Sequence, residues 1–344
     1  MDKVRFAIVG CGEIAVQTAK GMAEAPHAEI VMTMDTQLSL AQDLAEAYGA
    51  QATDDFEAVL ASPQVDAVYI AVPHDLHAPL ATAAAQANKH ILLEKPIATN
   101  VVDAKKIIHN CELDNVTLGI AFIAQVDANC ARVRQLIEEG VIGEVAGVRY
   151  AALADKPDYY WHGGYTRRVY TDWRTLKARS GGGILIMNLI HDFNTLRYVT
   201  GLEVTRAYGE YGTYATPVEV EDLAFATLRY DNGAIGSVEA GSAIRGGAMG
   251  AESDRVFGTK GQVLIGQQIQ VYSVDGSSDV PAREWTTIDI PQPSARHRIV
   301  EGFATALLEG RRPPVTGFDG LKALEIVEAI YRSGETGTPV QLPL

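Results

Sequence analysis

Residues 4–15 read VRFAIVGCGEIA, an apolar run that leads directly into a glycine-rich turn and the start of a helix. Gly10, Gly12 and Ala15 give the turn the spacing GxGxxA. The first glycine of such a turn permits a tight bend, the second lets the backbone approach a pyrophosphate, and a small third residue allows close packing of helix on strand. The stretch therefore predicts a dinucleotide-binding turn, because a helix N-terminus also attracts phosphates. The residues predicted to contact the cofactor there are Gly10, Gly12, Glu13 and Ile14.

Asp35 supplies a second signal, since a glycine-rich turn also arises by chance. It follows the apolar run Glu29–Met34, at about the spacing expected for a carboxylate that binds ribose hydroxyls. A carboxylate there repels a 2′-phosphate, and Thr36 and Gln37 offer no cation to hold one. The sequence thus favours NAD over NADP as the cofactor.

The pattern of apolar runs changes along the chain. Up to about residue 121 short β-type runs alternate with helical segments, which is typical of a parallel sheet covered by helices. Beyond it, strands separated by hairpin-like turns predominate. We therefore predict an α/β chain in which residues 1–121 form an N-terminal Rossmann doubly wound parallel sheet. Residues 122–344 are predicted to form a C-terminal α+β domain with a large, mostly antiparallel sheet.

The predicted elements are as follows. The strands are Val4–Val9, Glu29–Met34, Asp66–Val72, His90–Leu93, Val116–Ala121, Thr205–Tyr211, Leu223–Tyr230, Ala234–Ala240, Asp254–Gly258 and Val263–Ile265. The helices are Ile14–Ala25, Leu38–Tyr48, Leu76–Ala87, Val101–Cys111, Asp127–Glu139, about Gly183–Thr200, Ser294–Glu309 and Gly317–Ser333.

The composition excludes several classes of protein. The 344 residues are 47% hydrophobic and 21% charged, which are globular proportions. A formal charge of −14 repels nucleic acid, and neither a signal peptide nor a run of roughly 20 apolar residues is present, so we expect no membrane span. Three cysteines without a CxxC pair indicate neither a disulfide framework nor a cysteine zinc site. A cytoplasmic protein is the expectation.

Glu94-Lys95-Pro96 follows the apolar run His90–Leu93 and therefore lies at the carboxyl edge of the predicted sheet. Open α/β sheets bind their ligands at this edge, so Glu94 and Lys95 are expected near the cofactor, with Lys95 close to the nicotinamide. The alternative for Lys95 is an ordinary surface lysine in a loop.

The GxGxxA turn, this EKP triplet and the segment from Ser180-Gly181-Gly182-Gly183 to His191 together resemble the Gfo/Idh/MocA oxidoreductase family. The resemblance extends over essentially the whole chain. It implies hydride transfer at a carbon that bears a hydroxyl, with sugars, inositols and related cyclic polyols as substrates. It also implies that the C-terminal domain, residues 122–344, serves substrate binding and oligomerisation, with a homodimer or homotetramer built through its sheet.

The resemblance assigns the catalytic lysine to Lys95, as the base that removes the hydroxyl proton. Burial and a nearby nicotinamide cation lower the pKa of a lysine and suit it to this task. The family's helix histidine corresponds to His191, for which a buried structural role is the alternative. Many members carry Asp where this chain has Met187, and Asn188, one helical turn from His191, is then predicted to bind the substrate hydroxyl. Gln125 stands where many members have arginine.

Two further segments carry candidate residues. Pro73, His74 and His77 follow the run Asp66–Val72, and the resemblance implies that this loop borders the cofactor, with solvated or helix-capping roles as the alternative for the histidines. No further zinc-type pattern accompanies them, so no metal is predicted. The loop Asp155–Lys177 is rich in aromatic and charged residues and suits a sugar pocket, although an interface or a lid is the alternative. Its predicted substrate-binding residues are Tyr160, Trp161, Arg167, Asp172 and Trp173.

Three functional hypotheses remain open on the sequence. The leading one is an NAD-dependent dehydrogenase of a sugar, inositol or related cyclic polyol. Within the same family, a dihydrodiol dehydrogenase or a keto-sugar reductase is the alternative. A regulator that senses NAD without chemistry is the third. Arg167, Arg168 and Arg174 also allow a carboxylate-bearing or nucleotide-linked substrate.

Overall fold

The structure is a computed structural model that describes residues 3–247, 254–266 and 268–344. Its strands are β1 (Val4–Val9), β2 (Ala28–Met34), β3 (Gln51–Thr53), β4 (Ala67–Ile70), β5 (His90–Leu93), β6 (Leu118–Ile120), β7 (Val145–Leu153), β8 (Val204–Gly212), β9 (Leu223–Tyr230), β10 (Ile235–Gly241), β11 (Asp254–Gly258), β12 (Gly261–Ile265), β13 (Ile269–Ser273), β14 (Trp285–Ile288) and β15 (Val340–Gln341). Its α-helices are α1 (Glu13–Glu24), α2 (Leu38–Tyr48), α3 (Phe56–Ala61), α4 (His77–Gln86), α5 (Val101–Leu113), α6 (Ala128–Glu138), α7 (Tyr160–Gly163), α8 (Lys177–Ser180), α9 (Ile190–Thr200), α10 (Ala295–Leu308) and α11 (Gly317–Thr336).

The chain divides into two compact units, each drawn from separated parts of the sequence. The first unit contains Met1–Val126, Tyr159–Gly181 and Pro293–Leu321, and the second contains Asp127–Asp158, Gly182–Gln292 and Lys322–Leu344. Residues 159–177 of the loop rich in aromatic residues, here called the aromatic loop, and α10 thus belong to the first unit, whereas a single boundary after residue 121 assigns both to the C-terminal domain. The division of the chain into domains at that boundary stays a prediction.

The first unit contains a parallel sheet in the order β3-β2-β1-β4-β5-β6. This confirms the predicted Rossmann sheet, although the sequence indicated only five of its six strands. The strand that was missed, β3, has three residues and is too short to form a recognisable apolar run. The predicted run Asp66–Val72 shortens to Ala67–Ile70, and the Asp66 carboxylate, directly before the strand, accepts hydrogen bonds from Arg5.

Helix α10 completes the core of the first unit. Ile299, Val300 and Phe303 lie in one buried cluster with Phe6 of β1. The rings of Phe6 and Phe303 are 6.0 Å apart. The sheet would therefore expose part of its apolar face without a helix that lies late in the sequence.

The second unit contains a nine-stranded mixed sheet in the order β14-β13-β12-β11-β7-β10-β9-β8-β15. Strands β7 and β10 pair in parallel, while the other pairs are antiparallel, which confirms the predicted mostly antiparallel sheet. The sequence did not predict β7, β13, β14 or β15. Strand β7 is rich in alanine and glycine and so has low β propensity. Side chains alternate between buried and exposed along β9, so one face of the sheet is covered and the other faces outwards. No helix in the described part of the chain is long and apolar enough to cross a membrane.

A buried carboxyl group lies at the start of β11. Asp254 is 7% exposed, and its Oδ1 accepts a hydrogen bond from the Ala151 N–H. Burial, and then the charge of Asp192, raise the pKa of Asp254 well above its ordinary value. The folded protein therefore retains a proton on Asp254 at a pH where the unfolded chain has released it.

This retained proton gives a pH-dependent prediction for Asp254→Asn. Below about pH 4 the carboxyl is protonated in both states and contributes no pH dependence. As the pH rises, only the unfolded chain releases the proton, so the stability of the wild type falls up to the raised pKa. We expect the variant to escape this loss and to melt at a higher temperature than the wild type at pH 7, with the two converging at low pH. Asp275→Asn, at an exposed ion pair with Lys260, is the control. A stability difference that is the same at every pH contradicts the prediction.

Candidate active site

Different physical requirements explain the two glycines of the phosphate turn. Gly10 has φ +89°, and a Cβ on it would lie 2.5 Å from the Ala71 carbonyl oxygen, so the fold itself requires glycine. Gly12 has φ −73°, and a Cβ on it would have no atom within 4 Å. The fold therefore leaves open space at Gly12, directly at the N-terminus of α1, which has no side-chain cap. This space and the uncapped helix fit a pyrophosphate.

Asp35 is fixed beside this turn, one residue beyond β2. Its Oδ2 accepts a hydrogen bond from the Cys11 N–H at 2.8 Å, and its Oδ1 accepts one from the Gln37 N–H at 2.9 Å. The turn and the carboxylate are thus joined directly. This arrangement agrees with the predicted contact of Asp35 with the ribose of the cofactor.

The aromatic loop lies against the same turn within the first unit. The Tyr165 N–H donates to Glu13 Oε2 at 2.9 Å, and Arg168 Nε donates to the Cys11 carbonyl oxygen at 3.0 Å. Gly164 has φ +67°, and a Cβ on it would lie 2.0 Å from the Glu13 carboxylate. The carboxylate of Glu13 is therefore engaged by the loop. Arg168, which the sequence suggested only as a residue that could bind an anionic substrate, is instead bonded to the backbone of Cys11.

The predicted substrate-binding residues of this loop differ in their surroundings. Tyr160 and Trp161 are buried and pack against each other edge to face, with the Arg174 guanidinium 5.3 Å from the Tyr160 ring centre. Trp173 is half-buried, and its ring centre lies 4.6 Å from that of His74. The other two predicted residues are exposed: Arg167 lies over the Tyr159 ring, and Asp172 pairs with His162. The structure thus brings Trp173 against His74 in the loop after β4.

Glu94 anchors the EKP triplet. The residue is 4% exposed, and its side-chain Oε1 accepts hydrogen bonds from the Tyr69 hydroxyl and from Arg296 Nη1, both at 2.7 Å. Burial acts to raise the pKa of Glu94, but the charges of Arg296 and then Lys95 outweigh it and lower the pKa, so the group stays ionised. The Lys95 N–H donates to Glu94 Oε2, and the Lys95 side chain is half-buried. An ion pair therefore fixes the loop that carries Lys95, and the sequence had not indicated Arg296.

His74 and His77 are buried, so the solvated alternative is wrong for both. His74 Nδ1 lies 2.7 Å from the Ser180 carbonyl oxygen. His77 Nδ1 lies 2.7 Å from the Pro96 carbonyl oxygen, and its Nε2 lies 3.1 Å from that of Val72. Burial lowers the pKa of both rings. His77 therefore joins the EKP loop to the loop after β4 through backbone oxygens, while Pro73 is half-buried beside it. No group of three or more His, Cys, Asp or Glu side chains in the described ranges is arranged to hold a metal ion.

In the second unit, the glycines before His191 are explained by two side chains that the sequence did not indicate. A Cβ on Gly182 would lie 2.0 Å from the Tyr331 hydroxyl, and one on Gly183 would lie 1.9 Å from the Glu221 carbonyl oxygen. The buried Glu221 carboxylate accepts hydrogen bonds from the Gly183 N–H, the Leu185 N–H and the Tyr331 hydroxyl. Burial raises the pKa of Glu221, against these bonds. Glu221 thus anchors the start of the helical segment.

This segment departs from the single α-helix predicted over Gly183–Thr200. It begins at Ile184, makes one π-helical turn over Leu185–Leu189 and continues as α9. In a π turn the backbone hydrogen bonds join residues five apart, and the angle between successive side chains around the helix axis differs from that of an α-helix. The assumed α-helical spacing from Asn188 to His191 is therefore wrong. Asn188 and His191 are both half-buried, and Met187 is buried. Such turns occur frequently at functional sites.

Lys156 is a further residue of the second unit that the sequence analysis passed over. It follows β7, a strand that the sequence did not predict, and its side chain is buried. Its Nζ donates to Asn188 Oδ1 at 2.5 Å. Gln125, the other departure from the family pattern, lies in a 3₁₀ turn over Ala124–Val126 of the first unit.

Known proteins match the chain along nearly its whole length. A family model described as an oxidoreductase family with an NAD-binding Rossmann fold matches residues 4–122, and a GFO/IDH/MocA C-terminal domain matches residues 130–264. The scyllo-inositol 2-dehydrogenase (NAD(+)) of Bacillus subtilis is 30% identical over 99% of this chain and 96% of its own. The 1,5-anhydro-D-fructose reductase of Ensifer adhaerens is 26% identical over 98% of each chain. The structure of the WlbA dehydrogenase from Bordetella pertussis, in complex with NADH and UDP-GlcNAcA, is similar with a TM-score of 0.84, 28% identity and 99% of each chain covered.

The phosphate turn, Asp35 and these matches define an NAD-binding oxidoreductase. The chain belongs to the Gfo/Idh/MocA family, which confirms the resemblance seen in its motifs. It is an NAD(P)-dependent enzyme that acts on CH–OH groups.

Proposed function

We propose that the protein is an NAD-dependent oxidoreductase that transfers a hydride between the cofactor and a hydroxyl or keto carbon of a sugar, inositol or related cyclic polyol. The observation that carries this proposal is the position of Lys95, directly after β5 and fixed by the Glu94–Arg296 ion pair, in the same unit as the phosphate turn. The inositol dehydrogenase and the anhydrofructose reductase among the relatives support the class of substrate.

The proposed mechanism assigns one task to each residue. NAD supplies the hydride acceptor when it is bound. Lys95 accepts the hydroxyl proton as the C–H bond breaks, and Asn188 and His191 hold the reacting oxygen by hydrogen bonds. Trp173 is proposed to line the substrate pocket beside the cofactor, which is supported by the 4.6 Å between its ring centre and that of His74. The residues proposed to hold the cofactor are Gly10, Gly12, Glu13, Ile14, Asp35, Pro73, His74, His77, Glu94 and Lys95, and those proposed to line the substrate pocket are Tyr160, Trp161, Arg167, Asp172 and Trp173.

The test is a screen of the wild-type enzyme for NADH formation with inositols, aldoses and sugar alcohols, and for NADH consumption with the matching ketones. We expect turnover with at least one pair, and an affinity for NADH at least about 10-fold higher than for NADPH, which corresponds to about 1.4 kcal/mol. Turnover limited to ketones identifies a reductase, and turnover of dihydrodiols identifies a dihydrodiol dehydrogenase. Tight NADH binding without any turnover refutes the proposal in favour of a regulator.

We further propose that the enzyme is a homodimer or homotetramer formed through the outward face of the C-terminal sheet. This face carries large apolar side chains that are exposed in the single chain, among them Phe225, Ile235 and Phe257. Contiguous apolar surface of this kind is typical of protein interfaces. We expect Ile235→Glu to lower the molecular mass measured by light scattering to that of a smaller assembly. The control is Val102→Glu, at an exposed apolar residue of α5 in the first unit, and an unchanged mass for Ile235→Glu contradicts the proposal.

A cytoplasmic location is also part of the proposal. Cys11 and Cys111 are buried, and burial raises the pKa of each thiol to about 12. Such thiols stay protonated and react slowly with oxidants and disulfides. Their state agrees with a protein that uses cysteine as a small apolar residue and not as a cross-link.

A further inference from the structure

Arg168 of the aromatic loop brings a cation to the part of the phosphate turn that Asp35 contacts. Its Nε donates to the Cys11 carbonyl oxygen at 3.0 Å, and the N–H of the same Cys11 donates to Asp35 Oδ2 at 2.8 Å. Its Nη2 donates to the carbonyl oxygen of Leu40, in α2, at 3.5 Å. Since Asp35 lies between β2 and α2, the guanidinium and the carboxylate contact the same small part of the first unit.

The charges of Asp35 and Arg168 both act on the side chain of Cys11. Burial and then the charge of Asp35 raise the pKa of the Cys11 thiol, whereas the charge of Arg168 acts to lower it. The segment that follows Asp35, residues 36–50, contains neither lysine nor arginine. The cation that this segment lacks is therefore supplied by a residue that lies 157 positions after Cys11 in the chain.

Arg168 has more N–H donors than its contacts with the protein use. A guanidinium presents its N–H groups in a planar fork, which suits bidentate binding of a phosphate. Within the described ranges, only the carbonyl oxygens of Cys11 and Leu40 accept hydrogen bonds from the Arg168 side chain. Asp43 Oδ2 lies 3.7 Å from Nη2, but the Asp43 side chain is 66% exposed, so solvent screens this pair. The Arg168 side chain is itself 25% exposed, so an anion can reach it.

We infer that Arg168 is a specificity residue for the cofactor: its guanidinium binds the 2′-phosphate of NADP(H), so that the enzyme accepts NADP(H) as a second, weaker cofactor. In Rossmann folds a carboxylate at the position of Asp35 binds the ribose 2′-hydroxyl, and a nearby arginine accommodates a 2′-phosphate. Asp35 repels this phosphate and keeps NAD the preferred cofactor, while Arg168 attracts it and limits the preference. The inference rests on the proposed function in one respect, because it assumes that the cofactor binds at the phosphate turn.

The alternative for Arg168 is a structural bond that only holds the aromatic loop on Cys11. Such a role affects NADH and NADPH equally, because the two nucleotides differ only in the 2′-phosphate. Arg168→Gln separates the two roles. Glutamine Nε2 stands at the same position along the side chain as arginine Nε, so it can still donate to the Cys11 carbonyl oxygen, while the charged end of the side chain is lost.

The experiment measures the affinities of the whole protein for NADH and NADPH by fluorescence titration and needs no substrate. We expect the wild type to bind both, with NADPH weaker by about 10-fold. Arg168→Gln should lower the affinity for NADPH by a further 10-fold or about that, and the affinity for NADH by less than about 3-fold, because only the phosphate loses a charged partner. Arg311→Gln, at an exposed pair with Glu309 in the same unit, is the matched control and should leave both affinities unchanged.

A second variant covers the case in which Arg168→Gln does not fold. Asp35→Ser removes the repulsive carboxylate and keeps Arg168. Relief of repulsion alone would make the two affinities similar, whereas a cation at the 2′-phosphate makes NADPH the tighter ligand. We therefore expect Asp35→Ser to bind NADPH about 10-fold or more tightly than NADH, which reverses the preference of the wild type.

The possible outcomes separate the two proposals. The inference is overturned if the wild type does not bind NADPH, or if Arg168→Gln changes the affinities for NADH and NADPH by the same factor or leaves both unchanged. It is also overturned if a folded Asp35→Ser binds NADPH no more tightly than NADH. Any of these results, obtained with a wild type that binds NADH and oxidises a polyol, leaves the proposed function intact. A wild type that binds neither nucleotide refutes both proposals.

Discussion

Replacing Lys95 by methionine is expected to lower kcat for the oxidised substrate by about 10³-fold. NADH affinity should fall by no more than about 3-fold, because the other residues proposed to hold the cofactor are unchanged. General base catalysis by a positioned side chain contributes roughly 10²–10⁴ in rate, and Met removes the amine while keeping the length of the chain. The backbone of Lys95 remains bonded to Glu94, so the loop keeps its anchor. The measurement is initial rates by NADH absorbance together with fluorescence titration of NADH.

Lys106→Met is the matched control for this variant. Lys106 lies on α5 in the same unit, where its exposed side chain pairs with Asp103. Exposed ion pairs contribute at most about 1 kcal/mol, so rate and melting temperature should change little. If Lys95→Met turns over as the wild type does, Lys95 has no part in the proton transfer and the mechanism has to be abandoned.

The second large effect is a contrast between two glycines that lie two residues apart. Gly10→Ala forces an alanine to φ +89° with its Cβ 2.5 Å from the Ala71 carbonyl oxygen. Backbone strain alone costs about 1–3 kcal/mol, and displacement of Ala71 adds to it. We expect the free energy of unfolding, measured by urea titration, to fall by about 3 kcal/mol or more.

Gly12→Ala should behave in the opposite way. Its φ of −73° suits any residue, and a Cβ there meets no protein atom within 4 Å. Stability should therefore stay within about 0.5 kcal/mol of the wild type. The added methyl group occupies the space at the N-terminus of α1 that the pyrophosphate needs, so NADH affinity should fall by about 100-fold, or about 2.7 kcal/mol. Unchanged NADH binding by Gly12→Ala would mean that the cofactor phosphates lie elsewhere.

Local patterns in the sequence were sufficient to predict most of the parallel sheet of the first unit. The GxGxxA turn, the run before it and Asp35 act over a few residues to one strand–helix–strand unit, and backbone chemistry determines their arrangement. The antiparallel strands β9 and β10 could be recognised from alternation and the turn between them. Strand β3, with three residues, and β7, with few β-branched side chains, carry too weak a signal for such recognition.

The candidate site was predicted less completely, because its supports come from remote parts of the chain. Glu94 was identified from its motif, but its partner Arg296 is 202 residues away. Glu13 was identified from the turn, but Tyr165, whose N–H donates to its carboxylate, lies 152 residues later in the chain. These pairs form through tertiary packing, and no periodicity or spacing in the sequence indicates them. Lys156 was passed over for a related reason, since the strand that precedes it was not recognised.

The late position of α10 has a consequence for how the nucleotide-binding part of the enzyme can be made. During synthesis the first 126 residues emerge long before Phe303, which packs on Phe6, and before Arg296, which neutralises Glu94. Chains that expose an incomplete apolar core are prone to aggregate. A truncated gene that ends at Val126 should therefore yield an insoluble fragment. A graft of this cofactor site onto another protein has to include Tyr159–Gly181 and Pro293–Leu321 as well.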